Sequence, residues 1–435
     1  MPRLAAAALA ALAACAPSAS ELRAPVDREL AARLPESAGT IDIDAALAKP
    51  LDESAAVRIA LASSLRLRAD FDALGIAGGE LATALGLGPL TVDAQLRFGN
   101  GGHELELDAI QSVLGLVLAP RQRAAARADL AAARARAAAA SIRLVGRVQI
   151  AFAALLAAQA EIELRQTAFA AADAAATLRE RMHAAGNTTD LALARDQDAR
   201  EQASVDLARA RADATVRRER LNALLGLSGA RTHWTVTGEL PPLPPAPPAL
   251  DDLEDRAVAA SLDLAAGVAH RDAAAARAGA ARVSAWLPEL GVGVSAIDNG
   301  DGLMIGPALR LGLPLFDQRS GLRARTRAEL RQADDDVLAT GVELRAAARA
   351  ARTQALAADA EARHIHDVIL PLRQKIVDET LAHFNAMDAD AFQLVLARRQ
   401  LVDGGHQYLD ALRRYWSAMA AVHALERGTL LEEAP

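Results

Sequence analysis

Aromatic residues make up only 3% of this 435-residue chain, and it contains a single cysteine. The first scarcity disfavours a compact α/β core, and the second excludes an internal disulfide framework. Past the N-terminus no stretch offers eighteen uncharged apolar residues. Any crossing of a membrane is therefore expected to be made by a closed β-barrel rather than a helix. Arginine and acidic residues are interleaved without a basic stripe, and the net charge is −7, so nucleic acid is not an expected partner. There is no P-loop, no glycine-rich dinucleotide fingerprint and no nucleophile elbow. His364 and His366 are two apart, which on a helix turns their rings about 200° from one another. His383 and His406 stand at no ligand spacing. No catalytic residue, metal or cofactor is expected, and the chain reads as a non-enzyme.

What is abundant is alanine, leucine, arginine and acid, a composition that favours long helices and coiled-coil packing. At the N-terminus, Met1-Pro2-Arg3 is a short basic segment and Leu4 to Ala13 is an apolar run of signal-peptide length. It ends in "LAAC", which resembles a bacterial lipobox with Cys15 as the lipid-bearing residue. Residues 1–14 are expected to be a signal peptide, and residues 15–50 a lipidated, extended segment.

The remainder says the same thing twice. A proline-rich stretch at residues 239–250, "ELPPLPPAPPAL", stops the helical pattern and reads as a linker. Residues 51–238 and 251–428 flank it as two repeats, followed by a tail at 429–435. Each repeat runs helix, hairpin, very long helix, small-residue turn and returning helix. The long helices are expected over residues 121–185 and 319–384, each on the order of 95 Å. Their turns are "AAGNTTDL" from Ala184 and "NAMDADAF" from Asn385. A stripe at Ile150, Ala154, Ala157, Ala158 and Ile162 is a candidate seam for close helix packing. Trp234, Trp286, Tyr415 and Trp416 read as packing residues, with a membrane-interface marker as the alternative for Trp286.

The hairpins carry the functional signal. "LTVDAQLRF", Leu90 to Phe98, alternates without a fault between apolar and polar residues. Glycine/asparagine turns follow at Gly99 to Gly102 and Asp298 to Gly302. The second strands are expected from His103, through "HELELDAIQSVLGLVL", and from Leu303. Nine residues is close to what a tilted transmembrane strand needs. One face would then meet lipid, while Asp93, Gln95 and Arg97, with Glu104, Glu106 and Asp108 on the partner strand, would line water. Four strands cannot close a barrel, but several copies can.

The order of elements, the duplication, the lipobox and "LRLGLPLFDQRSGLRARTRAELRQA" (Leu309 to Ala333) together resemble the TolC-like outer-membrane efflux proteins and their lipoprotein branch. The resemblance covers roughly Leu51 to Gly428. It implies a mainly α fold with a membrane β part: a homotrimer whose α-helical barrel continues into a 12-stranded β-barrel, four strands per chain. It further implies an outer-membrane, lipid-anchored exit duct reaching into the periplasm. The turns would form a periplasmic tip that docks an adaptor protein and, through it, an inner-membrane pump. Gly186, Asn187, Asp190, Asp388, Asp390 and Gln393 are the tip or gate candidates. The family's acidic ring falls here on Gln393 and Leu396, so it is absent or displaced. The rival expectation is a periplasmic structural or adaptor lipoprotein whose hairpins pack in a soluble domain.

Overall fold

A computed structural model describes residues 18–35, 39, 41–86, 90–99, 102–286, 289–299, 302–312, 319–389 and 391–431. Cys15 and the "LPLFDQ" segment (313–318) lie outside the described residues. Helices α1 (Ala19–Arg33), α2 (Ile43–Leu47), α3 (Glu53–Ser63) and α4 (Leu65–Leu85) precede strands β1 (Leu90–Gly99) and β2 (Gly102–Ser112). Then come the long helix α5 (Val113–Ala184) and α6 (Asp190–Leu225). After the proline-rich stretch the order recurs: α7 (Leu253–Ala260), α8 (Leu262–Ser284), β3 (Glu289–Asp298), β4 (Leu303–Gly312), α9 (Ser320–His364), α10 (Leu370–Asn385) and α11 (Ala391–Arg427). A π-helical turn, Ile365–Ile369, joins α9 to α10.

The segment expected to be extended instead holds α1 and α2, and two further boundaries differ from expectation for local reasons. Strand β2 ends at Ser112, and the apolar run after it is already helix, because the Ser112 hydroxyl accepts a hydrogen bond from Gly115 N at 3.2 Å. The helical stretch before each hairpin is broken at a serine, Ser64 in one repeat and Ser261 in the other, with ψ of 116° and 114°. At the end of each repeat a left-handed glycine, Gly226 (φ 66°) or Gly428 (φ 105°), abuts the carbonyl just ahead of that break, Ser63 O or Ala260 O. No side chain fits there.

The chain forms two compact units. The first comprises 1–30, 68–140 and 262–343 and contains the sheet. Within it Arg277 of α8 and Asp129 of α5 form an ion pair. The second comprises 31–67, 141–261 and 344–435. Its core includes an alanine seam: Leu344, Ala348, Ala351, Ala355, Ala358, Ala362 and Ile365 alternate in steps of four and three, and all are buried. Ala411, Tyr415, Ala418, Val422 and Leu425 repeat that spacing on α11 and meet it antiparallel. A 3.5-residue period is that of a left-handed supercoil, and alanine lets the axes approach closely. In α5 the buried line runs Ile142, Val145, Val148, Phe152, Leu155, with Ala157 and Ala158; Ile150, Ala154 and Ile162 of the expected stripe are only half-buried. One 18-residue window of α5 is apolar enough to cross a bilayer, but 67% of it is buried in the chain, so packing accounts for it.

The proline-rich stretch has no helix or strand, yet it is held in place. Arg363, itself bound by the buried Asp359 carboxylate, donates to Pro244 O at 2.6 Å. Trp416 Nε1 donates to Pro241 O at 2.8 Å. Trp234 is buried and donates to Asn222 Oδ1 at 2.8 Å.

Two predictions follow from this packing. Ala355 is fully buried in the seam, so Ala355→Leu should lower stability by about 1–3 kcal/mol through overpacking, read as a shifted denaturation midpoint. On α7, Glu254 accepts from Arg345 and Arg349 at 3.1 Å each, and these bonds hold its carboxyl below its usual range. A folded-state pKa below the unfolded one gives stability that is present above the unfolded value and lost as pH falls through the folded value. The stability gap between wild type and Glu254→Gln should therefore exist at pH 7 and close as pH drops below about 4.5; a gap that persists in acid contradicts it.

Candidate functional site

The four strands form one antiparallel sheet in the order β1-β2-β3-β4, with β1 and β4 at its edges. Register assigns every side chain to a face. Leu90, Val92, Ala94, Leu96 and Phe98 of β1 pair with Gln111, Ala109, Leu107, Leu105 and His103 of β2. The same rows continue as Val292, Val294 and Ala296 on β3 and Ile305, Pro307 and Leu309 on β4. The result is an almost wholly apolar face that the described residues leave uncovered: Phe98 is 80% exposed, Leu309 70% and Val92 63%. Trp286, just before β3, is 80% exposed.

The opposite face holds Asp93, Gln95 and Arg97 beside Asp108, Glu106 and Glu104, as the alternation predicted. Arg97 donates to Glu104 at 2.8 Å, Gln95 at 2.9 Å and Glu106 at 3.0 Å. Asp93 and Asp108 stand directly opposite one another, an unfavourable like-charge pair. Arg310 of β4, which the sequence reading did not single out, donates to Asp93 at 2.6 Å. Its alternation with Gly306 and Ala308 hid it, because a lone charge among small residues gives no period-two signal.

That contact requires the polar face to be concave. In a flat sheet Arg310 and Asp93 would lie three strands apart, about 14 Å across, and four residues out of register, about 13 Å along. Glycines make the curl possible. A Cβ on Gly293 would overlap the Ala109 carbonyl oxygen, and one on Gly291 would come within 2.6 Å of Ile110 Cγ2.

The two small-residue turns are built alike. Gly186 adopts φ 76°, Gly186 N donates to His183 O at 2.8 Å and Asn187 N to Met182 O at 2.9 Å, closing α5. Thr189 caps α6 by accepting from Ala192 N, and the carboxylate of Asp190 meets His183 Nε2 at 2.6 Å. Arg179 reaches Asp196 at 2.6 Å, binding α5 to α6. In the second turn Met387 occupies the left-handed position at φ 65°, Asp388 N donates to His383 O, and the Asp388 carboxylate meets His383 Nδ1 at 2.9 Å. The paired histidines, His183 and His383, were missed as turn residues, although they lie 200 positions apart in matching places. Gln393 lines a shallow groove of about 460 Å³ with Leu372, Ile376, Glu379 and His383. Asp390 lies outside the described residues. Among the described residues no group of three or more His, Cys, Asp or Glu is placed to hold a metal.

Met387 carries the left-handed backbone that glycine carries in the first turn. Gly186→Ala should weaken its hairpin by about 1 kcal/mol, whereas Met387→Gly should not weaken its own. Hydrogen exchange of the turn amides measures both, and equal losses would contradict the reading.

No protein-family model matches the chain, and no curated protein matches it in sequence. Solved structures do match. VceC, an outer membrane protein of Vibrio cholerae, is 18% identical; the alignment covers 87% of this chain and 97% of that one, with a TM-score of 0.70. The CmeC outer membrane channel of Campylobacter jejuni is 13% identical over 88% of this chain and 87% of its own, with a TM-score of 0.72. CusC, described as undergoing conformational changes on folding and transmembrane channel formation, is 16% identical over 86% and 92%, with a TM-score of 0.67. Long helices with a four-stranded antiparallel sheet are thus the fold this chain shares with these outer-membrane channels.

Proposed function

We propose that the chain is the outer-membrane exit duct of a tripartite efflux or secretion system. One observation carries this reading: a curled four-stranded sheet with its apolar face uncovered, its charged face concave and both edges open. Three copies supply twelve strands, satisfy the edge hydrogen bonds and turn the apolar face to outer-membrane lipid. The concave face then becomes a water-filled wall carrying Asp93, Gln95, Arg97, Glu104, Glu106 and Asp108. The duct acts passively, and no step is covalent.

The two turns form the periplasmic tip. The groove beside Gln393 and the His–Asp pairs are where an adaptor protein would grip, joining the duct to an inner-membrane pump. Asp388 supplies a carboxylate at the aperture. Lipidation of Cys15 adds a second membrane hold, as does Trp286 at the interface. A soluble structural or adaptor lipoprotein would have to cover the apolar face, and no described residue of this chain does so.

Membranes expressing the chain should retain it through a urea wash, even as Cys15→Ser. The purified protein should run as a heat-modifiable trimer and give stepwise conductance in planar bilayers. A water-soluble monomer without conductance sinks the proposal.

A further inference from the structure

The concave face contains a contact that an ordinary strand pairing does not explain. Arg310 belongs to one edge strand and Asp93 to the other, and the guanidinium reaches across β2 and β3 to make a 2.6 Å hydrogen bond. Both side chains are partly exposed, at 56% and 39%. Their burial therefore does not hold the sheet curled; the bond itself links edge to edge, like a string across a bow.

Three further features bear on it. Asp93 faces Asp108 across the β1–β2 ladder, so without Arg310 two carboxylates would repel within one row. Arg97 is already engaged by Glu104, Glu106 and Gln95 and cannot substitute for it. Gly291 and Gly293 carry no side chain on the inner surface of β3, so no β3 side chain stands in the way of the arginine there.

We infer that the Arg310–Asp93 ion pair is a brace that fixes the curl of each four-stranded stave and so positions its two free edges to pair with neighbouring copies. This rests on the barrel reading proposed above. Closure constrains the curvature of each stave, because strand number, tilt and stagger are linked in a closed barrel. A stave that flattens presents its edges at the wrong angle. Arg310 is thus a positioning residue for assembly.

The test uses the full-length chain expressed in membranes and extracted in detergent. Arg310→Gln and Asp93→Asn should each reduce the unheated trimer band. Three weak, partly solvated pairs per trimer should together shift the oligomer equilibrium about tenfold. The charge-reversed double variant Asp93→Arg/Arg310→Asp should restore trimer yield and single-channel conductance, which a purely space-filling role would not allow. Raising salt to molar levels should carry wild type toward the Arg310→Gln yield by screening. A normal trimer and conductance in Arg310→Gln, or a reversed pair no better than the single variants, overturns the brace while leaving the barrel intact. A wild-type chain that never forms a heat-modifiable oligomer overturns the barrel and the brace with it.

Discussion

Backbone hydrogen bonding at the margins of a four-stranded sheet is the constraint on which the rest of this structure depends. Among the described residues, strands β1 and β4 each pair with one strand, and each presents an edge row of N–H and C=O groups on its other side. In water such margins invite adventitious pairing, and in lipid they are prohibitive. The apolar face makes the first environment unfavourable and the open margins forbid the second for a single chain. In the proposed duct, added strands from neighbouring copies resolve both demands.

The helical part meets a different demand. Long helices stacked side by side need shallow interfaces, and alanine at alternating four- and three-residue steps provides them. This explains the unusual composition: aromatics are scarce because few positions have room for them. The larger residues gather where the two repeats are fastened. There Trp234, Tyr415 and Trp416 pack or hydrogen-bond with Asn222 and the proline-rich stretch. Those prolines lack amide donors but keep free carbonyls, and Arg363 and Trp416 use them.

Much of this was legible in the order of residues. The period-two strand at Leu90 to Phe98 was plain because one face alternates without interruption. The turns were plain because glycine and asparagine tolerate the required backbone. The end of β2 was not, since "SVLGLVL" is equally apolar as strand or helix and only the Ser112 hydroxyl decides. Nor was Arg310, whose importance comes from curvature that brings distant strands together. His183 and His383 carry no signal in the sequence until the turns place each beside an aspartate. Tertiary proximity, rather than propensity, is what a single sequence withholds at these positions.

The π turn at Ile365–Ile369 has an effect that reaches beyond itself. Continuing the buried rhythm of α9 past Ile365 in steps of four and three leads to Ile369, Leu372, Ile376, Glu379 and His383. Leu372 and Ile376 are instead 56% and 47% exposed, and Val377 is the buried residue. A wider turn just ahead of Pro371 inserts surplus chain, and one residue of helix corresponds to about 100° of rotation. The stripe that would have been core is rolled outward, and it becomes the wall of the groove beside Gln393. A shift in helical phase, with no change of residue type, converts the end of a zipper into an open surface.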